Sequence, residues 1–176
     1  MGRETWLKQV GVFFVYLFAQ VVFCRNLTFF EGNVMIFPYV AFLVLLPFGA
    51  NNMKLLNIAF AMGLIMDIFY DSIGIHSAAC VGMAFTRYQI MKVTAPSSGY
   101  DLSDVPLIGQ MGFGSFVTFV IPQVLIHHIL LFCIEAADWG FMPKALLRAF
   151  LSSIATLLII LAIQYLFYRG FSKRRI

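Results

Sequence analysis

Six apolar runs, at 6–24, 34–50, 55–70, 73–91, 111–134 and 145–168, take up most of this 176-residue chain and leave only short polar connections between them. A hydrocarbon core of about 30 Å is crossed by roughly 20 helical residues, so every run is near spanning length, the second and third being the shortest. A water-soluble core is excluded by composition. Of all residues 61% are hydrophobic and 11% charged, against about 45–50% and about 25% in soluble domains. Unbroken runs, rather than alternating segments of about ten residues, predict helices and not a barrel. The expected fold is therefore all-α: an integral membrane protein with one domain, a bundle of six transmembrane helices. Were the second and third runs a re-entrant pair, the count would fall to four, with both termini still on one face.

Charge sets the expected orientation. Under the six-helix reading one face holds Arg3, Lys8, Lys54, Arg87, Lys92, Arg169, Lys173, Arg174 and Arg175, and the other holds Arg25, Lys144 and Arg148. The positive-inside rule makes the first face cytoplasmic, together with both termini and the 92–110 loop. Glu31, Asp67, Asp71, Glu135 and Asp138 then fall at the outer face. Arg3 and Lys8 before the first run fit an uncleaved signal anchor, because no small-residue cleavage site follows and bulky Phe23 precedes Cys24. Cys24, Cys80 and Cys133 stand apart in apolar surroundings and read as packing residues.

The costliest residues lie between 63 and 87, where Asp67, Asp71, His76 and Arg87 interrupt apolar sequence. A charged side chain at a bilayer centre costs about 2.5–3.5 kcal/mol on insertion scales, so each needs a reason to be there. Asp71 and Ser72 alone join the third and fourth runs, which predicts a tight helical hairpin at the outer face. Asp67, three residues before Tyr70, is then about 5 Å from the helix end. Its expected partners are His76, Arg25 and Arg148, with Arg87 too far toward the cytoplasmic end. Gly74, Ala78, Gly82 and Thr86 recur every fourth residue and form a small-residue stripe that lets another helix approach, within the bundle or from a partner.

His127, His128 and Glu135 mark the fifth run. Adjacent histidines point about 100° apart on a helix, and the H-E-x-x-H arrangement is missing, so interhelical hydrogen bonding or a docking site is expected and a metal is not. Neither a catalytic motif nor a nucleotide-binding fingerprint is present in the sequence, and no cofactor is expected. The basic tail at 169–176 reads as a topogenic and lipid-surface cluster, not a nucleic-acid site.

The G-L-I-M-D-I-F-Y run followed by G-I-H-S-A-A-C-V-G-M-A-F-T-R resembles the third and fourth helices of the bacterial rod shape-determining MreD family. The later H-H-I-L-L-F-C-I-E is similar to a stretch in one branch of it. On the matching positions Gly63, Asp67, Gly74, His76 and Arg87 are signature residues, while Asp71 stands where an uncharged polar residue is usual. The resemblance implies a multi-pass, non-enzymatic scaffold of the bacterial cytoplasmic membrane, active in cell shape and lateral peptidoglycan synthesis. Its implied partners are a membrane-anchored MreC-like protein, a RodA-type glycosyltransferase, a penicillin-binding transpeptidase and, indirectly, the MreB filament. It also implies a fold similar to the substrate-binding subunits of energy-coupling-factor transporters. That similarity supplies the alternative, a solute-binding or transport subunit with Asp67, His76, His127 and His128 lining an outward-facing pocket.

Overall fold

The computed structural model describes residues 3–30, 32–97 and 99–167, the first six as backbone only. Glu31 and the basic tail with Arg169, Lys173, Arg174 and Arg175 lie outside the described residues, as do the side chains of Arg3 and Lys8. Among the described residues the regular structure is helical apart from one minimal antiparallel hairpin, β1 (Thr28–Phe29) with β2 (Val34–Met35), in which Thr28 faces Met35.

The long elements are α1 (Arg3–Ala19), which continues as a π-helical turn through Cys24, α3 (Asn52–Tyr70), α4 (Ile75–Thr94), α6 (Phe113–Ala136) and α7 (Met142–Phe167). Between them lie two short pieces, α2 (Tyr39–Val44) and α5 (Ile108–Met111). Helix α4 packs between α3 and α6, and α6 packs between α4 and α7. Asn51 starts α3 by accepting from the backbone N–H groups of Met53 and Lys54, and Asp71, in the left-handed region at φ 52°, ends it.

Among the described residues three helical stretches are long and apolar enough to cross a membrane: Asn52–Tyr70, Phe113–Ala136 and Trp139–Phe167. Helix α7 shows the packing logic most plainly. It buries Ala145, Ala149, Ser152, Ser153, Thr156 and Gln164, with Ile160 the one large apolar side chain among them, and exposes Leu146, Leu147, Phe150, Ile154 and Leu158. In water that arrangement would be inside out. In lipid it is expected, because small and polar residues let helices approach while the apolar side chains meet acyl chains.

The second run departs from expectation. No continuous helix spans 34–50. Instead β2 leads into α2, a helix of six residues all of which are buried, followed by irregular backbone through Ala50. Two prolines explain it. Pro38 sits at the N-cap of α2 and Pro47 two residues beyond its C-cap Leu45, and each removes a backbone donor and disfavours helix in the residue before it. The segment nonetheless links α7 to the 95–107 loop. It begins near α7, where Met35 N–H donates to Ser152 Oγ at 3.0 Å, and ends under the 95–107 loop, where Phe48 N–H donates to the Asp104 carbonyl at 3.0 Å. We call the first of these the turn end, since the α3–α4 and α6–α7 connections lie there, and the second the loop end.

Candidate functional site

Asp67 is 4% exposed and faces the start of the next helix. Its Oδ1 accepts from Ser72 Oγ and from His76 N–H, both at 2.8 Å. Its Oδ2 accepts from Ser77 N–H at 3.0 Å and from Ser77 Oγ at 2.6 Å. A carboxylate from α3 thus caps α4, matching its negative charge to the helix N-terminus and to donors that have no intrahelical partner. Gly63 allows the approach: a Cβ there would stand 2.4 Å from Ser77 Cα, within the backbone of α4.

The sequence-based partners of Asp67 are corrected by this geometry. His76 meets Asp67 through its backbone and not its ring, Arg25 pairs with exposed Asp71 at 3.3 Å, and Arg148 pairs with Glu135 at 3.3 Å. The imidazole of His76 turns inward to Tyr39.

Tyr39 is the residue that sequence reading missed. Its hydroxyl lies 2.9 Å from His76 Nδ1 and 2.8 Å from His127 Nε2, so the short α2 helix is tied to α4 and α6 at one atom. A phenol has one proton to donate, so at least one of the two imidazoles presents N–H to Tyr39. The Cys80 sulfur lies 3.9 Å from the same hydroxyl and completes the cluster. An aromatic inside an apolar run reads as core, and nothing local in the sequence distinguishes Tyr39 from its neighbours.

His128 points elsewhere, as adjacent helical positions must. Its Nδ1 lies 2.8 Å from the Val124 carbonyl, which only accepts, so that nitrogen carries the proton. In the neutral ring Nε2 then accepts from Thr156 Oγ1 at 3.0 Å, and Thr156 in turn accepts from Phe37 N–H at 3.1 Å. Phe37 fills the space between these groups, with ring centroids 5.7 Å from His76 and 5.5 Å from His128.

Arg87 is expected near the cytoplasmic surface. It is 2% exposed and holds the part of the second segment nearest the loop end. Its guanidinium donates to the carbonyls of Val44 at 3.4 Å, Pro47 at 3.3 Å and Leu46, the carbonyls released where α2 stops, and lies 5.7 Å from the centroid of Phe119. Arginine suits this position because one planar group presents several donors in fixed directions.

Of the nine residues proposed from sequence, Asp67, His76, Arg87, His127 and His128 are therefore buried within the bundle. Gly74, Ala78 and Glu135 are exposed, and Gly82 is half-buried against Leu130 of α6. His127 Nδ1 and Gln123 Oε1, one turn apart on α6, are buried without a hydrogen-bond partner among the described residues. No group of three or more His, Cys, Asp or Glu side chains among the described residues is arranged to hold a metal ion. The chain matches no family model, no curated protein and no solved structure.

Proposed function

We propose that this protein is a non-enzymatic, six-crossing scaffold of the bacterial cytoplasmic membrane, with its second crossing made by the discontinuous 34–50 segment and both termini cytoplasmic. In this reading it works in the cell-elongation machinery, as the resemblance to the MreD family implies. It docks the membrane helix of an MreC-like protein and, with it, a RodA-type glycosyltransferase and a penicillin-binding transpeptidase. The observation that carries the proposal is where the polar residues are spent. Asp67, His76, His128 and Arg87 bind elements of the same chain, while the outward edge of α4 leaves Gly74 and Ala78 uncovered. Small residues on an exposed helix edge allow a second helix to approach closely.

Ala78 is the position to test. A larger residue at Gly82 would strike Leu130 of the same bundle, and at Gly74 it would meet the positive φ of 79°. Ala78→Leu should leave thermal unfolding unchanged and lose cell-wall synthases from mild-detergent purifications out of native membranes. Equal recovery of those partners by folded Ala78→Leu would overturn this surface.

A second reading, a solute-binding or transport subunit, is favoured by one feature. Discontinuous helices buried among polar side chains are where membrane transporters bind substrate, and His127, whose Nδ1 is orphaned, is bonded through Nε2 to Tyr39 of such a segment. Mass spectrometry of the same preparations separates the two: a retained small molecule that is lost with Tyr39→Phe supports transport, and retained synthases support the scaffold.

A further inference from the structure

At the turn end, α6 and α7 splay around a 220 Å³ cleft lined by Glu135, Ala136, Phe141, Lys144, Ala145 and Arg148. Arg148 is fixed there. One terminal nitrogen donates to Glu135 Oε2 at 3.3 Å, the other reaches the Met35 sulfur at 3.8 Å, and the guanidinium carbon stands 4.6 Å from the centroid of Phe132. Its Nε is buried without a hydrogen-bond partner among the described residues. Lys144 lies one helical turn earlier on α7, so its ammonium and the guanidinium share one face. The cleft therefore carries two cations and one carboxylate. Asp138, which caps the next turn by accepting from Gly140 N–H at 2.8 Å, is not among the residues that line the cleft.

That charge pattern takes a simple anion on its two cations but gives Glu135 no new partner, and it disfavours a simple cation. It suits a zwitterion whose phosphate meets Lys144 and Arg148 and whose ammonium donates to Glu135. The surroundings of the cleft match a lipid. Trp139 and Phe141, in the connection that forms the cleft's rim, are 86% and 62% exposed, as aromatic residues are at the headgroup level of a bilayer. Below them Ile129, Ile134, Leu146, Leu147 and Phe150 offer an exposed apolar surface to acyl chains.

We propose that this cleft is a binding site for the headgroup of an amine-bearing phospholipid, phosphatidylethanolamine in its simplest form. The proposal rests on the membrane reading and is independent of which protein docks on α4. A quaternary choline has no N–H to donate to Glu135, and a glycerol headgroup has no cation at all, so the site discriminates by chemistry.

The full chain in detergent, titrated with phosphatidylethanolamine, phosphatidylcholine and phosphatidylglycerol of matched acyl chains, is read by native mass spectrometry. Phosphatidylethanolamine should be retained about threefold or more over phosphatidylcholine, the scale of one partly exposed ion pair. Lys144→Gln should lower retention of all three lipids. Glu135→Gln should erase the preference for phosphatidylethanolamine while leaving phosphatidylglycerol bound. Both positions are exposed, and unchanged thermal unfolding verifies that the variants fold. Equal retention of phosphatidylethanolamine and phosphatidylcholine, or a preference that survives Glu135→Gln, overturns the proposal. Displacement of the lipid by an equal concentration of soluble phosphoethanolamine would overturn the lipid as ligand.

Discussion

The 34–50 segment and the α3–α4 hairpin start from the same raw material, apolar runs of about one membrane thickness, and satisfy their backbones in opposite ways. The hairpin keeps its hydrogen bonds within each helix and needs outside help only at the turn, where Asp67 takes two N–H groups of α4. The 34–50 segment, broken by Pro38 and Pro47, draws its partners from other elements. Gln20 Nε2 donates to the Ile36 carbonyl, Ser152 and Thr156 accept from Met35 and Phe37, Arg87 serves three carbonyls, and the 95–107 loop accepts from Phe48 and Gly49. In a bilayer no water reaches such groups, so irregular backbone is tolerated only where protein surrounds it. A regular helix can thus be designed alone, whereas a broken one commits side chains on three other elements and the backbone of a loop.

The comparison breaks most sharply at Arg87. Arg87→Leu strands three buried carbonyls, and each unsatisfied group costs about 1–3 kcal/mol, so a loss of about 3 kcal/mol or more is expected. Arg87→Lys should recover part of it, because an ammonium reaches some of those oxygens without the planar fork. Thermal unfolding in a fixed detergent checks both variants, and equal midpoints for Leu and wild type would show that Arg87 does not hold the segment.

Next comes the hairpin's close contact. A Cβ at Gly63 meets the α4 backbone at 2.4 Å, whereas a Cβ at Gly82 meets the end of the Leu130 side chain at 2.3 Å. Backbone cannot turn aside and a leucine methyl can. Gly63→Ala should therefore cost about 1–3 kcal/mol, the range of overpacked cores, and Gly82→Ala distinctly less. The same unfolding assay ranks them, and the reverse order would mean that α3 and α4 are not in contact at Ser77.

How much of this was legible in the sequence follows from what kind of partner each residue has. The apolar runs gave helices α3, α4, α6 and α7 to within a few residues, since burial in a bundle and length in a bilayer both register as composition. The position of Asp67 near the end of α3 was readable from the short 71–72 connection. Its true partners were not, because backbone N–H groups of the next helix have no letter in the sequence, and the carbonyls that hold Arg87 are equally silent. Pro38 and Pro47 were the one visible sign that the second run would break. The small-residue stripe proved to be divided, with Gly82 turned to α6 and Ala78 turned outward, a distinction that periodicity alone does not make.

The finest test uses two aspartates four residues apart. Asp67→Asn keeps the shape but replaces one accepting oxygen by an NH2 that faces N–H and hydroxyl donors, so a loss of about 1–2 kcal/mol is expected, as for a lost helix cap. Asp71→Asn removes the charge partner of Arg25 at 3.3 Å, but the Asp71 side chain is 87% exposed, and such pairs contribute about 0–1 kcal/mol. Asparagine also tolerates the left-handed φ of 52° that ends α3, so the backbone gives no further penalty. Asp71→Asn should unfold within about 0.5 kcal/mol of the parent, the usual spread for surface changes. A larger loss for Asp71→Asn than for Asp67→Asn would mean that the hairpin is held from its rim and not by the carboxylate buried between its helices.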